Sequence, residues 1–179
     1  MGYSSCQPSS DMISGSSGTG LATAPLLVER GGSVVIIAGD AGRLDAMKRE
    51  LERGAGSTVN IGATWARQVI KATPSTAYSM TEAGLRSLTQ TLVVELADHG
   101  IGVNAGSPAV GVTPLFGALI QPEQIEETIT NGFSAMHPVG RVGRPEDITR
   151  HIVFPPSGQA GWTTGAIRDV DGAMTAGRT

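Results

Sequence analysis

Cysteine is almost absent from this sequence, which contains one such residue, Cys6, among 179. A single cysteine cannot form an internal disulfide framework, so a reducing compartment, the cytoplasm, is expected. The first eleven residues lack a basic start and an apolar core, and Cys6 stands where a myristoylation pattern requires Ser or Thr, so neither signal is expected. The longest apolar run is about as long as a strand, far short of the ~20 residues that span a bilayer. A soluble protein is expected.

Blocks of like charge are also missing. The sequence has 13 Lys and Arg against 16 Asp and Glu, a formal net charge of -3, and neither sign is clustered, so neither nucleic acid nor an anionic membrane is an expected partner. There is no Gly-Lys-Ser/Thr phosphate loop and no Gly-x-Ser-x-Gly elbow. His99, His137 and His151 lack metal-ligand spacing, so no metal site is expected.

What is present is an alternation of short β-branched segments with longer helical ones. The length suits one compact domain, residues 1–179. Alternation of this kind predicts an α/β fold with a doubly wound parallel sheet. The predicted strands are residues 33–38, 57–61, 101–105 and 166–170, and the predicted helices are residues 21–30, 40–53, 76–99, 122–136 and 145–154.

Five motifs occur in the order in which one known family presents them. They are the glycine turn at 13–20, the helix with Tyr78, Val103-Asn104-Ala105 followed by Ser107-Pro108, residues 141–147, and residues 169–172. The chain thus resembles the short-chain dehydrogenase/reductases, which implies a Rossmann-like domain, NAD or NADP as cofactor and an alcohol or carbonyl compound as substrate.

The family normally has a further strand-helix-strand-helix unit after its second helix. Here residues 52–56 run directly from that helix into the next strand, so an incomplete Rossmann-like sheet is predicted. Asn104-Ala105-Gly106 looks like the Asn-Ala-Gly turn of the missing unit, but its position assigns it to a later strand.

The resemblance places the cofactor pyrophosphate at the glycine turn, because backbone N–H groups at a helix start bind phosphate. It implies Gly15, Ser17, Gly18 and Gly20 as cofactor-binding residues. Ser14 replaces the first family glycine and is strained if that position requires a positive φ, so Gly15 is the candidate for the bend.

Further departures weaken this site. Pro25 falls inside the following helix, where proline costs about 3 kcal/mol, and the stretch before the turn is too polar for a first buried strand. Ala38 and Gly39 occupy the places that distinguish NAD from NADP. Asp40, with Arg43 nearby, is the candidate for binding the ribose 2′ group of the cofactor. The alternative is that Asp40 only begins a helix and that Arg43 lies on its solvent-exposed face. The choice between NAD and NADP stays open.

Thr113 lies five residues after Pro108, where the family places a threonine against the nicotinamide amide. An ordinary loop threonine ahead of Pro114 fits the sequence equally well.

The resemblance implies that Tyr78 is the catalytic tyrosine, but Glu82 replaces the family's lysine four residues on. Residues four apart share one side of a helix. At ~6 Å and an effective dielectric near 20, each unit charge is worth about 3 kcal/mol, so glutamate raises the tyrosine pKa by several units. Tyr78 then stays protonated and is a poor general base. The alternative for Glu82 is an exposed pair with Arg86, which the sequence favours over a new catalytic carboxylate.

The family's Asn-Ile-Ser-Ser maps onto Asn60-Ile61-Gly62-Ala63, which leaves Thr64 as the nearest hydroxyl and the second candidate catalytic residue. Three hypotheses remain. The first is an impaired NAD(P)-dependent oxidoreductase, and the second a non-catalytic relative that associates with itself or a homologue, so a homo-oligomer is expected. The third is redox-independent chemistry by Tyr78 and Glu82.

Overall fold

The computed structural model describes residues 9–14, 35–36, 56–68, 75–153 and 162–177. The glycine turn beyond Ser14 and the predicted helices at 21–30 and 40–53 lie outside these residues, so those predictions stay predictions.

A five-stranded parallel sheet forms the centre of the fold. In chain order its strands are β1 (Ser9–Ser14), β2 (Val35–Ile36), β3 (Gly56–Ile61), β4 (Gly102–Pro108) and β5 (Ile167–Val170). Their order across the sheet is β2-β1-β3-β4-β5, and every pair is parallel. The register places Met12 opposite Val59 and Val59 opposite Asn104. This arrangement confirms the predicted parallel α/β sheet.

Strand β1 corrects one expectation. Its sequence, Ser-Ser-Asp-Met-Ile-Ser, was expected to be too polar for a strand of this sheet, yet it pairs with β2 on one side and β3 on the other. Two ladders of backbone hydrogen bonds hold it there, and side-chain polarity does not remove those bonds. Because β3 pairs directly with β1, the sheet is continuous although the further unit is missing.

Three α-helices accompany the described strands. They are α1 (Thr76–Leu96), α2 (Ile125–Phe133) and α3 (Pro145–Val153). Short 3-10 helices cover Thr64–Ala66, Ala97–His99, Pro114–Ala118, Pro122–Gln124 and Ser134–Met136. Gly100 follows α1 with φ 67°, a left-handed conformation that ends the helix as predicted.

Strand β4 is longer than the sequence indicated. Ser107 and Pro108 lie beyond the predicted strand at 101–105, yet they pair with Asp169 and Val170 of β5. Proline is tolerated at the end of this strand, where the chain leaves the sheet.

Two apolar clusters lie within the described residues. One contains Leu96, Ile101 and Val103, and the other Val110, Ile125, Ile129 and Val142. Of the apolar side chains of α1, Leu96, Leu92 and Val93 pack in the first cluster, whereas Met80 is 70% exposed and Val94 78% exposed. Within the described residues, no helix is both long and apolar enough to cross a membrane.

Candidate functional site

Tyr78 and Glu82 lie one turn apart at the beginning of α1. The helix contains a single glycine and no proline, so its backbone is regular through this turn. Tyr78 is 43% exposed, and the Glu82 carboxyl lies close enough to act on the phenol through its charge and hydrogen bonding. The residue that replaces the family's lysine therefore lies beside the tyrosine.

This contact changes the acidity of the phenol. Partial burial, then the negative charge of Glu82 and then its hydrogen bond raise the pKa of Tyr78 to about 12. The predicted direction is confirmed, but the sequence argument considered charge alone, whereas desolvation is the largest cause. At neutral pH the hydroxyl is protonated and can donate a hydrogen bond, but it is a poor proton acceptor.

Glu82 is itself held in a partly buried place. Burial raises its carboxyl pKa, and hydrogen bonds from the Tyr78 hydroxyl and the Ala63 backbone N–H partly offset that effect. Its Oε2 atom is buried, and no described residue forms a hydrogen bond with it. That oxygen lies 3.2 Å from the place that a Cβ would take on Gly62, so the glycine makes room for the carboxyl.

The expected ion pair between Glu82 and Arg86 is wrong. Among the described residues, no ion pair joins the two side chains, and Nη1 of Arg86 is buried without a hydrogen-bond partner. The physical reason is that Glu82 turns toward the start of its own helix, where two donors are available from Tyr78 and Ala63.

Thr64 lies near this site but is not joined to Tyr78. It belongs to the 3-10 turn Thr64–Ala66, which packs against α1, and it is fully buried. Its Oγ1 atom has no hydrogen-bond partner among the described residues. Ala63, at the position of the family's serine, is 6% exposed and offers no hydroxyl. A catalytic role for Thr64 remains a proposal.

The predicted cofactor residues are described at one position only. Thr113 precedes the 3-10 helix Pro114–Ala118 in extended conformation, and its carbonyl accepts a hydrogen bond from the Phe116 N–H at 3.4 Å. Its side chain does not cap that helix. The other predicted cofactor residues, Gly15, Ser17, Gly18, Gly20 and Asp40, lie outside the described residues.

Asn60 and Thr89 form a buried contact that the sequence reasoning missed. The Asn60 side chain donates from Nδ2 to Thr89 Oγ1 at 2.9 Å, and that hydroxyl donates to the Leu85 carbonyl at 2.8 Å. This pair ties β3 to α1 just before Gly62, and so fixes the helix that carries Tyr78. A threonine on the apolar side of a helix was the available signal, since buried polar groups need partners.

Asn104 has the structural role that its position indicated. Its amide Nδ2 donates to the Thr163 carbonyl at 3.0 Å, and its Oδ1 accepts from the Ala166 N–H at 3.2 Å. It therefore joins β4 to the segment that leads into β5 and does not form a cofactor turn. In the part of the chain that the structure describes, no cluster of His, Cys, Asp or Glu could hold a metal ion.

Comparison with known proteins agrees with this geometry. A family model described as enoyl-(acyl carrier protein) reductase matches residues 43–175. A cis-4-hydroxycyclohexanecarboxylate dehydrogenase of Sinomonas cyclohexanicum is 34% identical over 131 residues, which is 73% of this chain and 49% of that protein. A galactitol 2-dehydrogenase of Rhizobium johnstonii is 37% identical over 120 residues, which is 67% of this chain and 45% of the relative.

The chain spans about half the length of the curated relatives it matches. Among solved structures, the ligand-free aldohexose dehydrogenase of Thermoplasma acidophilum superposes with a TM-score of 0.76 at 20% identity, covering 99% of this chain and 98% of the other. That likeness shows the fold. With the matched family model and the sequence relatives, it establishes that this chain belongs to the short-chain dehydrogenase/reductase family.

Proposed function

We propose that the chain is an oxidoreductase of the short-chain type that acts on an alcohol or ketone with NAD or NADP, and that its turnover is impaired. The observation that carries this proposal is the position of Glu82 beside Tyr78, where burial and the carboxyl raise the pKa of the phenol to about 12. Tyr78 is partly exposed, so its single hydroxyl hydrogen can turn from Glu82 to a carbonyl oxygen, while burial and the charge of Glu82 oppose loss of the proton.

The described residues fit a nicotinamide cofactor only in part. The family's lysine holds the ribose as a donor, whereas Glu82 offers a buried acceptor oxygen at that position. We propose three sets of cofactor contacts. Asp40 would bind the ribose 2′ group and Thr113 the nicotinamide amide. The pyrophosphate would be bound by Gly15, Ser17, Gly18 and Gly20. Because the ribose donor is lacking, we expect weak binding. The proposal also includes a single domain over residues 1–179 and a cytoplasmic location.

A titration of the purified chain with NADH and NADPH tests the proposal. We expect weak binding of one cofactor and slow, carbonyl-dependent oxidation. The variant Ala63→Ser/Glu82→Lys, which restores both family residues, should increase turnover, while Ala63→Ser/Glu95→Lys puts the same charge near the far end of α1 and should not. Failure of both the natural chain and the restored variant to bind either cofactor would contradict the proposal.

A second candidate function is association without catalysis, with another copy of the chain as the partner. The exposed fractions of Met80 and Val94, 70% and 78%, favour it, because large apolar side chains on one helix suit a partner surface. Light scattering after size exclusion should show a homo-oligomer that Val94→Asp weakens. A chain that stays monomeric at high concentration would remove this candidate.

A further inference from the structure

A second cavity lies away from Tyr78, beyond the ends of β4 and β5. Its volume is about 350 Å³, within the range of small-molecule sites. Ala109 and Val110 follow β4, Asp171 and Gly172 follow β5, and His137 and Arg141 complete much of the wall. Ligands of parallel α/β sheets commonly bind beyond the carboxyl ends of strands, which is where this cavity lies.

His137 gives the cavity an unmet hydrogen-bond acceptor. The residue is 3% exposed, and its Nδ1 lies 3.0 Å from the Phe133 carbonyl oxygen. A carbonyl only accepts, so Nδ1 carries a hydrogen and donates, which leaves Nε2 of the neutral ring as an acceptor. Nε2 is buried and has no partner among the described residues.

The free edge of the ring is directed toward the cavity wall. Cδ2, which is bonded to Nε2, lies 3.4 Å from the place that a Cβ would take on Gly172, another wall residue. Val139 Cγ2 lies 2.7 Å from the same place, and the Val139 side chain is 60% exposed. Because residue 172 is glycine, the ring edge and the exposed Val139 side chain can both lie against this part of the wall.

Asp169 supplies a second unmet acceptor in the same wall. Its Oδ2 is paired with Arg67 Nη1 at 2.7 Å, but its Oδ1 is buried and has no partner within the described residues. The other carboxylates of the wall have partners. Asp147 forms an ion pair with Arg141 at 2.6 Å, and Asp171 accepts hydrogen bonds from the Ala173 and Thr175 N–H groups. Three carboxylates line the cavity, and two of them are paired with arginines, Asp147 with Arg141 and Asp169 with Arg67, so the remaining negative charge favours a cation over an anion.

We propose that this cavity binds a small primary ammonium compound, whose N–H groups donate to His137 Nε2 and Asp169 Oδ1. A primary ammonium combines positive charge with several donors, which matches two unmet acceptors in an acidic wall. A bare metal ion suits it less, because no group of three metal-ligating residues occurs in the described parts of the chain and the cavity is much larger than an ion.

The test uses the whole chain and records the imidazole nitrogen resonances by NMR during titration. Ethanolammonium is the probe, tetramethylammonium has the same charge without N–H donors, and ethylene glycol has donors without charge. We expect ethanolammonium alone to shift the His137 Nε2 signal in a saturable manner. Equal shifts with tetramethylammonium, or no saturable shift with any probe, would overturn the proposal.

Substitutions at the two acceptor residues show whether ethanolammonium binding depends on these side chains. His137→Phe removes the ring acceptor and should weaken ethanolammonium binding about tenfold, the usual effect of losing one such hydrogen bond. Asp169→Asn, expected to fold because its ion pair is partly exposed, should weaken binding at least as much. His99→Phe, at an exposed histidine outside the cavity wall, is the matched control and should bind like the natural chain. Unchanged affinity in both cavity variants would contradict the assignment.

Discussion

The Glu82 carboxyl lies beside the Tyr78 phenol, one helical turn farther along α1. Partial burial, then the charge of Glu82 and then its hydrogen bonding raise the pKa of Tyr78 to about 12, while burial raises the pKa of Glu82 itself. The family's tyrosine and lysine positions are thus both occupied, but the pair now holds the proton on the tyrosine instead of facilitating its transfer.

Reversing the charge at position 82 should make the tyrosine more acidic. We expect Glu82→Lys to lower the pKa of Tyr78 by at least about two units and Glu82→Gln to lower it less, because the substitutions remove or invert the nearby charge. The absorbance of tyrosinate at high pH measures this. Since the chain has two tyrosines, Tyr3→Phe provides a background in which only Tyr78 titrates.

The matched control for this titration is Glu95→Lys, the same change at a position about 25 Å from Tyr78 along the helix at 1.5 Å per residue. It should leave the Tyr78 pKa where it is, because solvent and salt screen charges at that separation. An equal shift in both lysine variants would show that Glu82 does not act locally.

The two buried threonines beside β3 should respond oppositely to loss of their hydroxyls. Thr64 Oγ1 has no hydrogen-bond partner, so Thr64→Val should leave the free energy of unfolding unchanged or raise it by about 1 kcal/mol. Thr89 Oγ1 accepts from Asn60, so Thr89→Val strands a buried amide and should lower the free energy of unfolding by about 1–3 kcal/mol.

Urea denaturation of both variants measures this difference, and each serves as the control for the other because size and shape change equally. A large decrease in the free energy of unfolding of Thr64→Val would mean that the Thr64 hydroxyl forms a hydrogen bond in solution. If Thr64→Val folds normally but loses carbonyl-dependent turnover, the proposed catalytic role of Thr64 is supported.

The sheet and the described helices could be predicted from the sequence because β-branched segments and 3.6-residue periodicity leave clear patterns. Residues 57–61 and 76–99 match β3 and α1 with its final turn closely. Strand β1 was missed because backbone pairing on both sides overrides a polar sequence, and backbone ladders leave no mark in composition.

The candidate site was predictable at Tyr78, since its position relative to the other motifs is fixed. The direction in which Glu82 points was not. A glutamate on a helix can pair forward with Arg86 or turn back toward Tyr78, and the choice depends on the Ala63 N–H, which only the folded loop places within reach. Likewise, neither the Asn60–Thr89 bond nor the second cavity follows from spacing along the chain.

A side chain at Gly172 should be more damaging than one at Gly140. Both glycines have positive φ, 58° and 79°, so alanine costs about 1 kcal/mol of backbone strain at each. At Gly172 the new Cβ would also lie 2.7 Å from Val139 Cγ2 and 3.3 Å from His137 Cβ, whereas nothing lies within 4 Å at Gly140. Thermal unfolding should therefore show a larger decrease in Tm for Gly172→Ala than for Gly140→Ala. Equal decreases in Tm would mean that Val139 moves aside at little cost in stability.

Asp147 should stabilise the start of α3 in a pH-dependent manner. Its carboxylate accepts from Arg141 at 2.6 and 2.9 Å and from the Arg144 N–H at 2.9 Å. Chiefly because of the Arg141 bonds, the pKa of Asp147 falls from 3.8 to about 2. A depressed pKa in the folded state means that the contribution is fully present above pH 3.8 and is lost as the pH falls through about 2.

We therefore expect Asp147→Asn to lower the free energy of unfolding at pH 7 by about 1 kcal/mol, a figure reduced for solvent screening because the pair is partly exposed. Urea denaturation at a series of pH values should show the difference from the natural chain shrinking below about pH 4. Asp98→Asn, at an exposed carboxylate after α1, is the control and should cost less than about 0.5 kcal/mol. A difference that stays constant down to pH 2 would show that the carboxylate charge is not its source, since a neutral aspartic acid retains the shape but loses the ion pair.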